Sequence, residues 1–226
     1  SLLMTEINLR NKALLSTLDG FIDEFFHTKG YDNPEHVISA KKIRADPMHP
    51  CSRDYLEVML ENQEYHEGFP ETHMAQPMSN MVANDHIWSA FRDKVRYDFA
   101  KTIGAQHNAL INYYPPMGHV GWHTNWNANC YQVLFTWSKN GDGYFRYYDQ
   151  SQDKIITVQD KPGWQARHYY FGRKDEPEHH CWHSAWAGCD RITLAYKFIN
   201  GSKINYLDET ARLLRDHLIE EMESEE

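Results

Sequence analysis

The sequence predicts a mainly β protein with flanking helices: a β-sandwich or barrel of the jelly-roll kind, braced by helical segments before and after it in the chain. Three observations predict this. Between residues 107 and 199 short β-rich runs follow one another with no helical pattern between them, punctuated by Gly, Pro, Asn and Asp. Ahead of them, apolar residues recur every three or four positions. Behind them, the last segment returns to a single helical stripe. The expected organisation is an N-terminal helical support region over 1–106, a jelly-roll core over 107–200 that carries the chemistry, and a C-terminal helix and acidic tail over 201–226. Together they form one integrated domain.

In chain order, Leu14, Leu18, Phe21 and Phe25, with Ile22 beside them, predict the first helix. Gly30, Asp32, Asn33 and Pro34 form a turn cluster, and 36–43 reads as a short strand. A second helix is expected over 52–64, and 66–80 lacks any period and reads as loop. Trp88, Phe91, Val95, Phe99 and Ile103 define the clearest helix, with Asn84 or Asp85 as its N-cap. The β runs are 108–114, 130–137, 144–149, 154–159, 164–171, 179–184 and 190–199. Asn140-Gly141-Asp142-Gly143 reads as a hairpin turn, because glycine tolerates positive φ. Leu207, Ala211, Leu214, Leu218 and Met222 make the stripe of the last helix, and the glutamates around and beyond it read as a solvated end.

Length and charge bound the function. The 226 residues suffice for one domain with a real core. The formal charge is −9, which argues against a protein devoted to gripping phosphate backbones. Residues 101–200 are nearly neutral, so the acidity belongs to the flanks and the core itself is open to an anionic substrate. No apolar run nears the roughly 18 residues of a spanning helix, so no membrane role is expected. With no secretory signal pattern and no CxxC pair, Cys51, Cys130, Cys181 and Cys189 read as buried thiols of a cytoplasmic protein. No G-x-S-x-G occurs, so a serine hydrolase has no support.

The chemistry concentrates in two places. One is the stretch from Asn112 through Tyr114, Pro116 and His119 to His123 and Asn125. The other runs from His179, His180 and His183 to Arg191 and Thr193. An early His with a nearby third ligand and a distant His are the parts of a two-imidazole, one-carboxylate face, which leaves positions open on Fe(II) for co-substrate and oxygen. Alternate residues of a strand share a face, so His123 and Asn125 are expected to look into one site. An arginine opening the last strand suits a two-pronged grip on a carboxylate.

With those residues in view, the chain resembles the Fe(II)- and 2-oxoglutarate-dependent oxygenases, over about residues 108–199. The Asn-x-Tyr-x-Pro…His-x-Asn and Arg-x-Thr arrangement looks most like the AlkB-like and prolyl-hydroxylase-like branches. Gly141-Asp142-Gly143-Tyr144-Phe145 and Gly163-Trp164-Gln165-Ala166-Arg167-His168-Tyr169-Tyr170-Phe171 resemble further stretches of that pattern. The resemblance implies a double-stranded β-helix fold, and Fe(II) and 2-oxoglutarate as cofactor and co-substrate. It implies O2 as partner and hydroxylation of a C–H bond of a protein side chain or small molecule, with succinate and CO2 as co-products. His123 and His183 would be metal ligands, with Asn125 in the third position. Arg191 would take the far carboxylate of 2-oxoglutarate, Thr193 and Tyr114 would bond beside it, and Asn112 would meet the other end. Lys197, six after Arg191, parallels a second basic residue of AlkB-like enzymes.

Two departures stand out. Asn125 occupies the place of the usual Asp or Glu, and a neutral amide lowers metal affinity. The interval from His183 to Arg191 is short, which leaves His180 and His179 as competing distal ligands, although the Trp182-His183-Ser184 context favours His183. The alternatives are an AlkB-like nucleic-acid demethylase, a jelly-roll binding protein silenced at Asn125, and a zinc site built from His179, Cys181, His183 and Cys189, whose spacing matches no known zinc knuckle. The tryptophans of the core read first as packing, with one or two available to floor a pocket.

Overall fold

The computed structural model describes residues 4–28, 30–33, 38–39, 48–62, 70, 72–78, 85–126, 129–200 and 209–225. Its strands are β1 (Met4–Ile7), β2 (Ile38–Ser39), β3 (His73–Pro77), β4 (His107–Tyr114), β5 (His119–His123), β6 (Cys130–Ser138), β7 (Gly143–Asp149), β8 (Lys154–Gln159), β9 (Gly163–Phe171), β10 (His183–Ala187) and β11 (Arg191–Asn200). The helices are α1 (Lys12–His27), α2 (Arg53–Glu61), α3 (Asp85–Asp93), α4 (Ala100–Thr102) and α5 (Glu209–Glu223), with a π-helical stretch, Lys94–Phe99, joining α3 to α4.

The strands form two antiparallel layers. One runs β1-β9-β6-β11-β4 and the other β5-β10-β7-β8. From β4 onward the chain passes back and forth between the layers, which makes the pair a double-stranded β-helix, the jelly roll expected. β3 closes one side, pairing Gln76 and Pro77 with β4, and His73 and Met74 with β5. Alternation decides what each face buries. Tyr114, Phe145, Tyr147, Tyr169, Phe171 and Ala195 meet between the layers.

The helices cover the outer faces. Asn11 caps α1 by accepting from the Leu14 N–H at 3.0 Å. The expected stripe Leu14, Leu18, Phe21, Phe25 is buried, with Phe25 stacked on Trp88 and 5.0 Å from Tyr113 of β4. Trp88, Phe91, Val95 and Phe99 keep a continuous stripe through the π stretch. That stretch turns the Val95 carbonyl toward β11, where the Tyr196 hydroxyl donates to it at 2.6 Å. On the other layer, Leu56 and Met59 of α2 pack on Trp122 and Trp182, and the Trp122 indole donates to the Ser52 carbonyl at 2.9 Å. No helix among the described residues is long and apolar enough to cross a membrane.

Several expectations are corrected. Beyond the strand expected over 36–43, the N-terminal segment supplies β1 and β3, and β3 lies in the stretch read as loop. β1 and β3 carry too few alternating apolar residues to show a period. Of the strand expected over 36–43, Ile38 and Ser39 are strand and the rest lies outside the described residues, as do the side chains of Asn84 and Asp85. α2 ends at Glu61. The run 179–184 is instead a 3-10 turn, Pro177–His179, followed by β10. Gly141, at φ 86°, does turn the chain after β6, but the turn delivers it to the opposite layer, because β6 and β7 do not pair. In α5, Met222 is buried while Leu214 is 45 % exposed, so the stripe holds at one end only. Leu207 and the Ala211 side chain lie outside the described residues.

Candidate metal and co-substrate site

His123 ends β5 and His183 opens β10, and the two are direct partners in register. Their rings lie 4.1 Å apart, centroid to centroid. The register of β5 against β10 shifts between this pair and Ala185–Val120, so β5 holds one extra residue there. This bulge lets both Val120 and His123 face the interior and sends Trp122 outward to α2. Gly121 lies within it, and a Cβ there would come 2.9 Å from the Thr72 carbonyl.

Hydrogen bonds fix both imidazoles. Nδ1 of His123 lies 2.8 Å from the Gly121 carbonyl, and Nδ1 of His183 lies 2.7 Å from the Cys181 carbonyl. A carbonyl only accepts, so each Nδ1 carries the proton and each neutral ring presents a basic Nε2, the tautomer a metal ligand needs. Burial pushes His183 down to about 4, only partly countered by the Cys181 carbonyl, so its ring is neutral at pH 7. Phe145 and Phe171 pack on it at 5.6 and 5.0 Å and screen it from water. Asn125, half-buried in the loop after β5, donates from Nδ2 to His183 Nε2 at 3.1 Å. Rotating that amide by half a turn would present Oδ1 to the same place. Among the described residues no group of three His, Cys, Asp or Glu gathers around a metal-sized space, so the donors on offer are two imidazoles and one amide oxygen.

The other end of the barrel holds Arg191, 1 % exposed. Its Nε donates to Asp160 Oδ2 at 2.8 Å and its Nη1 to Thr193 Oγ1 at 3.0 Å. Its guanidinium lies 4.9 Å from the Tyr114 ring centre. Tyr114 is Arg191's partner in register and Asn112 is Thr193's. Burial raises the Tyr114 phenol, and Arg191 and Asn112 ease it back. Asn112 is fully buried beside the Tyr114 phenol, and among the described residues its amide has no well-formed hydrogen bond. A poorly satisfied amide inside a barrel marks a place for a polar guest. Arg191 has five N–H groups and keeps one on each Nη for a carboxylate, so the set fits 2-oxoglutarate even with Asp160 in place.

The structure thus brings His123, His183 and Asn125 together, and separately Arg191, Thr193, Tyr114 and Asn112. Lys197 is not beside Arg191: it pairs with His107 and Gln132 toward the other end of β11. His180 has its Nε2 2.8 Å from the Arg173 carbonyl and its ring 5.4 Å from that of Trp126. The proposed zinc residues are not gathered either, and the Cys189 thiol lies against Ser138 and Asp142. Sequence reasoning missed Asp160 as the counter-charge of Arg191. No local signal identifies it, since it sits in a turn and reaches Arg191 only through the fold.

No protein-family model and no curated protein matches the chain. Solved structures similar to it include OsALKBH1, at 11 % identity, TM-score 0.40, covering 86 % of this chain and 97 % of that one. A Pseudomonas putida prolyl-4-hydroxylase matches at 15 % identity and TM-score 0.32, over 81 % of this chain and all of the other, 100 %. The Arabidopsis thaliana dioxygenase for auxin oxidation, in complex with 2-oxoglutarate, matches at 10 % and 0.34, over 88 % and 85 %. At these scores the residues of the site, not the likenesses, carry any functional reading.

Proposed function

We propose that this chain is an Fe(II)- and 2-oxoglutarate-dependent oxygenase that hydroxylates a C–H bond of a small molecule or protein side chain. The observation that carries the reading is the His123–His183 pair, with both Nδ1 protons locked on backbone carbonyls. Iron with 2-oxoglutarate would supply the oxidising chemistry, consuming O2 and releasing succinate and CO2. The chain's own part is to hold and to shield. His123 and His183 offer neutral nitrogens, and Asn125 offers an amide oxygen after rotation. Arg191 and Thr193, with Tyr114, would anchor the far carboxylate of 2-oxoglutarate, and the buried Asn112 amide would satisfy a polar atom nearer the metal. Phe145 and Phe171 would keep water from the histidines. A cytoplasmic setting belongs to the same proposal, resting on cysteines kept as thiols.

A second reading, a jelly-roll binding protein without turnover, draws on two contacts. Asn125 closes on His183 while Asp160 already neutralises Arg191. Succinate formation from 2-oxoglutarate with Fe(II), ascorbate and O2 separates the two. The oxygenase reading expects succinate above background from the wild type and none from His123→Ala or His183→Ala. No succinate from the wild type, or equal succinate from all three proteins, overturns it.

A further inference from the structure

Arg167 lies in the middle of β9, is 7 % exposed, and among the described residues its side chain makes no hydrogen bond or ion pair. Leu134 of β6 is its partner in register, and both Leu134 and the next same-face residue of β9, Tyr169, belong to the interior cluster. The charge is felt by Tyr147 and Tyr169, whose phenols it eases downward against burial. Tyr147 is the direct partner of His183 in register. Tyr169 packs 6.0 Å from Tyr147 and 4.9 Å from Phe145. Arg167 therefore stands on the inner wall near Tyr147, the register partner of His183, and the Tyr169 phenol beside it also feels Arg191.

Two facts make this position unusual. Among the described residues no carboxylate pairs with Arg167, whereas Arg191 is matched by Asp160. The Tyr169 hydroxyl, 1 % exposed, also has no hydrogen-bond partner among the described residues. Nearby carboxylates do not answer either. Glu6 stands opposite Arg167 in register but is exposed and forms no ion pair with it. Asp149 is turned onto the Ser151 hydroxyl and N–H. The Arg167 guanidinium and the Tyr169 phenol share one face of β9 and complement a single carboxylate: the guanidinium offers two parallel N–H groups and the phenol a third.

We propose that Arg167 and Tyr169 hold a carboxylate of the molecule to be oxidised, so that the substrate is a small carboxylic acid with an apolar body. Tyr147, Phe145 and Phe171 would pack on that body. The word substrate rests on the oxygenase reading above; the carboxylate site does not.

Benzoate is the probe, read by thermal shift and calorimetry on the metal-free protein and again with Mn(II) and N-oxalylglycine bound. The proposal expects saturable benzoate binding in the wild type under both conditions. It expects affinity about tenfold weaker or worse in Arg167→Met, intermediate in Arg167→Lys, reduced in Tyr169→Phe, and unchanged in Glu6→Gln. Equal benzoate affinity in the wild type, Arg167→Met and Arg167→Lys overturns it. So does loss of N-oxalylglycine binding in Arg167→Met with benzoate excluded by N-oxalylglycine, which would make Arg167 the co-substrate's anchor. Benzoate binding that appears only in Glu6→Gln would make Glu6 the true counter-charge and overturns it as well. Benzoate binding as expected without any response to Mn(II) and N-oxalylglycine keeps the carboxylate site and defeats the oxygenase reading alone.

Discussion

His123 and His183 stand directly opposite each other across the β5–β10 pair, rings 4.1 Å apart, and each bonds its Nδ1 proton to the carbonyl two residues before it. The symmetry is a consequence of strand geometry. A residue at a strand end can fold its ring back on its own backbone, and two such ends meet because β5 and β10 are antiparallel. Backbone hydrogen bonds hold both rings without a metal, so little ordering remains to oppose binding.

Asn125 is the weak member of that site. Asn125→Asp puts a negative charge where the amide now bonds His183 Nε2. Mn(II) affinity, measured by calorimetry, is expected to rise about tenfold, roughly 1.4 kcal/mol. Unchanged affinity would place residue 125 outside the coordination sphere.

At the far end, Asp160→Asn leaves the Arg191 guanidinium buried without its counter-charge; the side chains of the pair are 2 % and 0 % exposed. Urea unfolding is expected to show a loss of about 3–5 kcal/mol. Added 2-oxoglutarate should restore more stability to the variant than to the wild type, because its carboxylate replaces the one removed.

Acid sensitivity has a named contributor. His168 is 4 % exposed, stacked on Tyr131, and burial holds it near 3, below the ordinary 6.5. The unfolded chain therefore binds a proton between pH 6.5 and about 3 that the folded chain refuses. Stability from this group is complete above pH 6.5 and falls as the pH drops through that window, by up to about 1.4 kcal/mol per pH unit. His168→Gln is expected to flatten the slope of unfolding free energy between pH 6.5 and 5 by about one proton. An unchanged slope would show that His168 is already charged in the folded state.

The π stretch before α4 is tied to β11 by a side-chain hydrogen bond. Tyr196→Phe removes the donor to the Val95 carbonyl without changing the packing of the ring. The cost expected is about 1–3 kcal/mol in chemical denaturation, for a buried acceptor left without a partner.

These residues show what the sequence makes legible. The β-run spacing and the helical stripes are local patterns, and the jelly roll with α1 and α3 follows from them. His123, His183 and Asn125 meet in the fold, as their placing on either side of a long gap led us to expect. The bulge in β5 was not legible: alternation alone puts Val120 and His123 on opposite faces, and the register shift that reconciles them depends on β10. β3 escaped notice because His73–Pro77 has no alternation of its own and owes its strand state to bridging β4 and β5. Asp160 and Arg167 matter only through partners, present or missing, that lie on other strands.

The central claim is that His123 and His183 form a metal site that takes 2-oxoglutarate. The direct test is the thermal shift of the wild type and of His183→Ala on adding Mn(II) with N-oxalylglycine. The account predicts a rise in melting temperature for the wild type that depends on both additions together and vanishes in His183→Ala. No shift in the wild type, or the same shift in the variant, would contradict it.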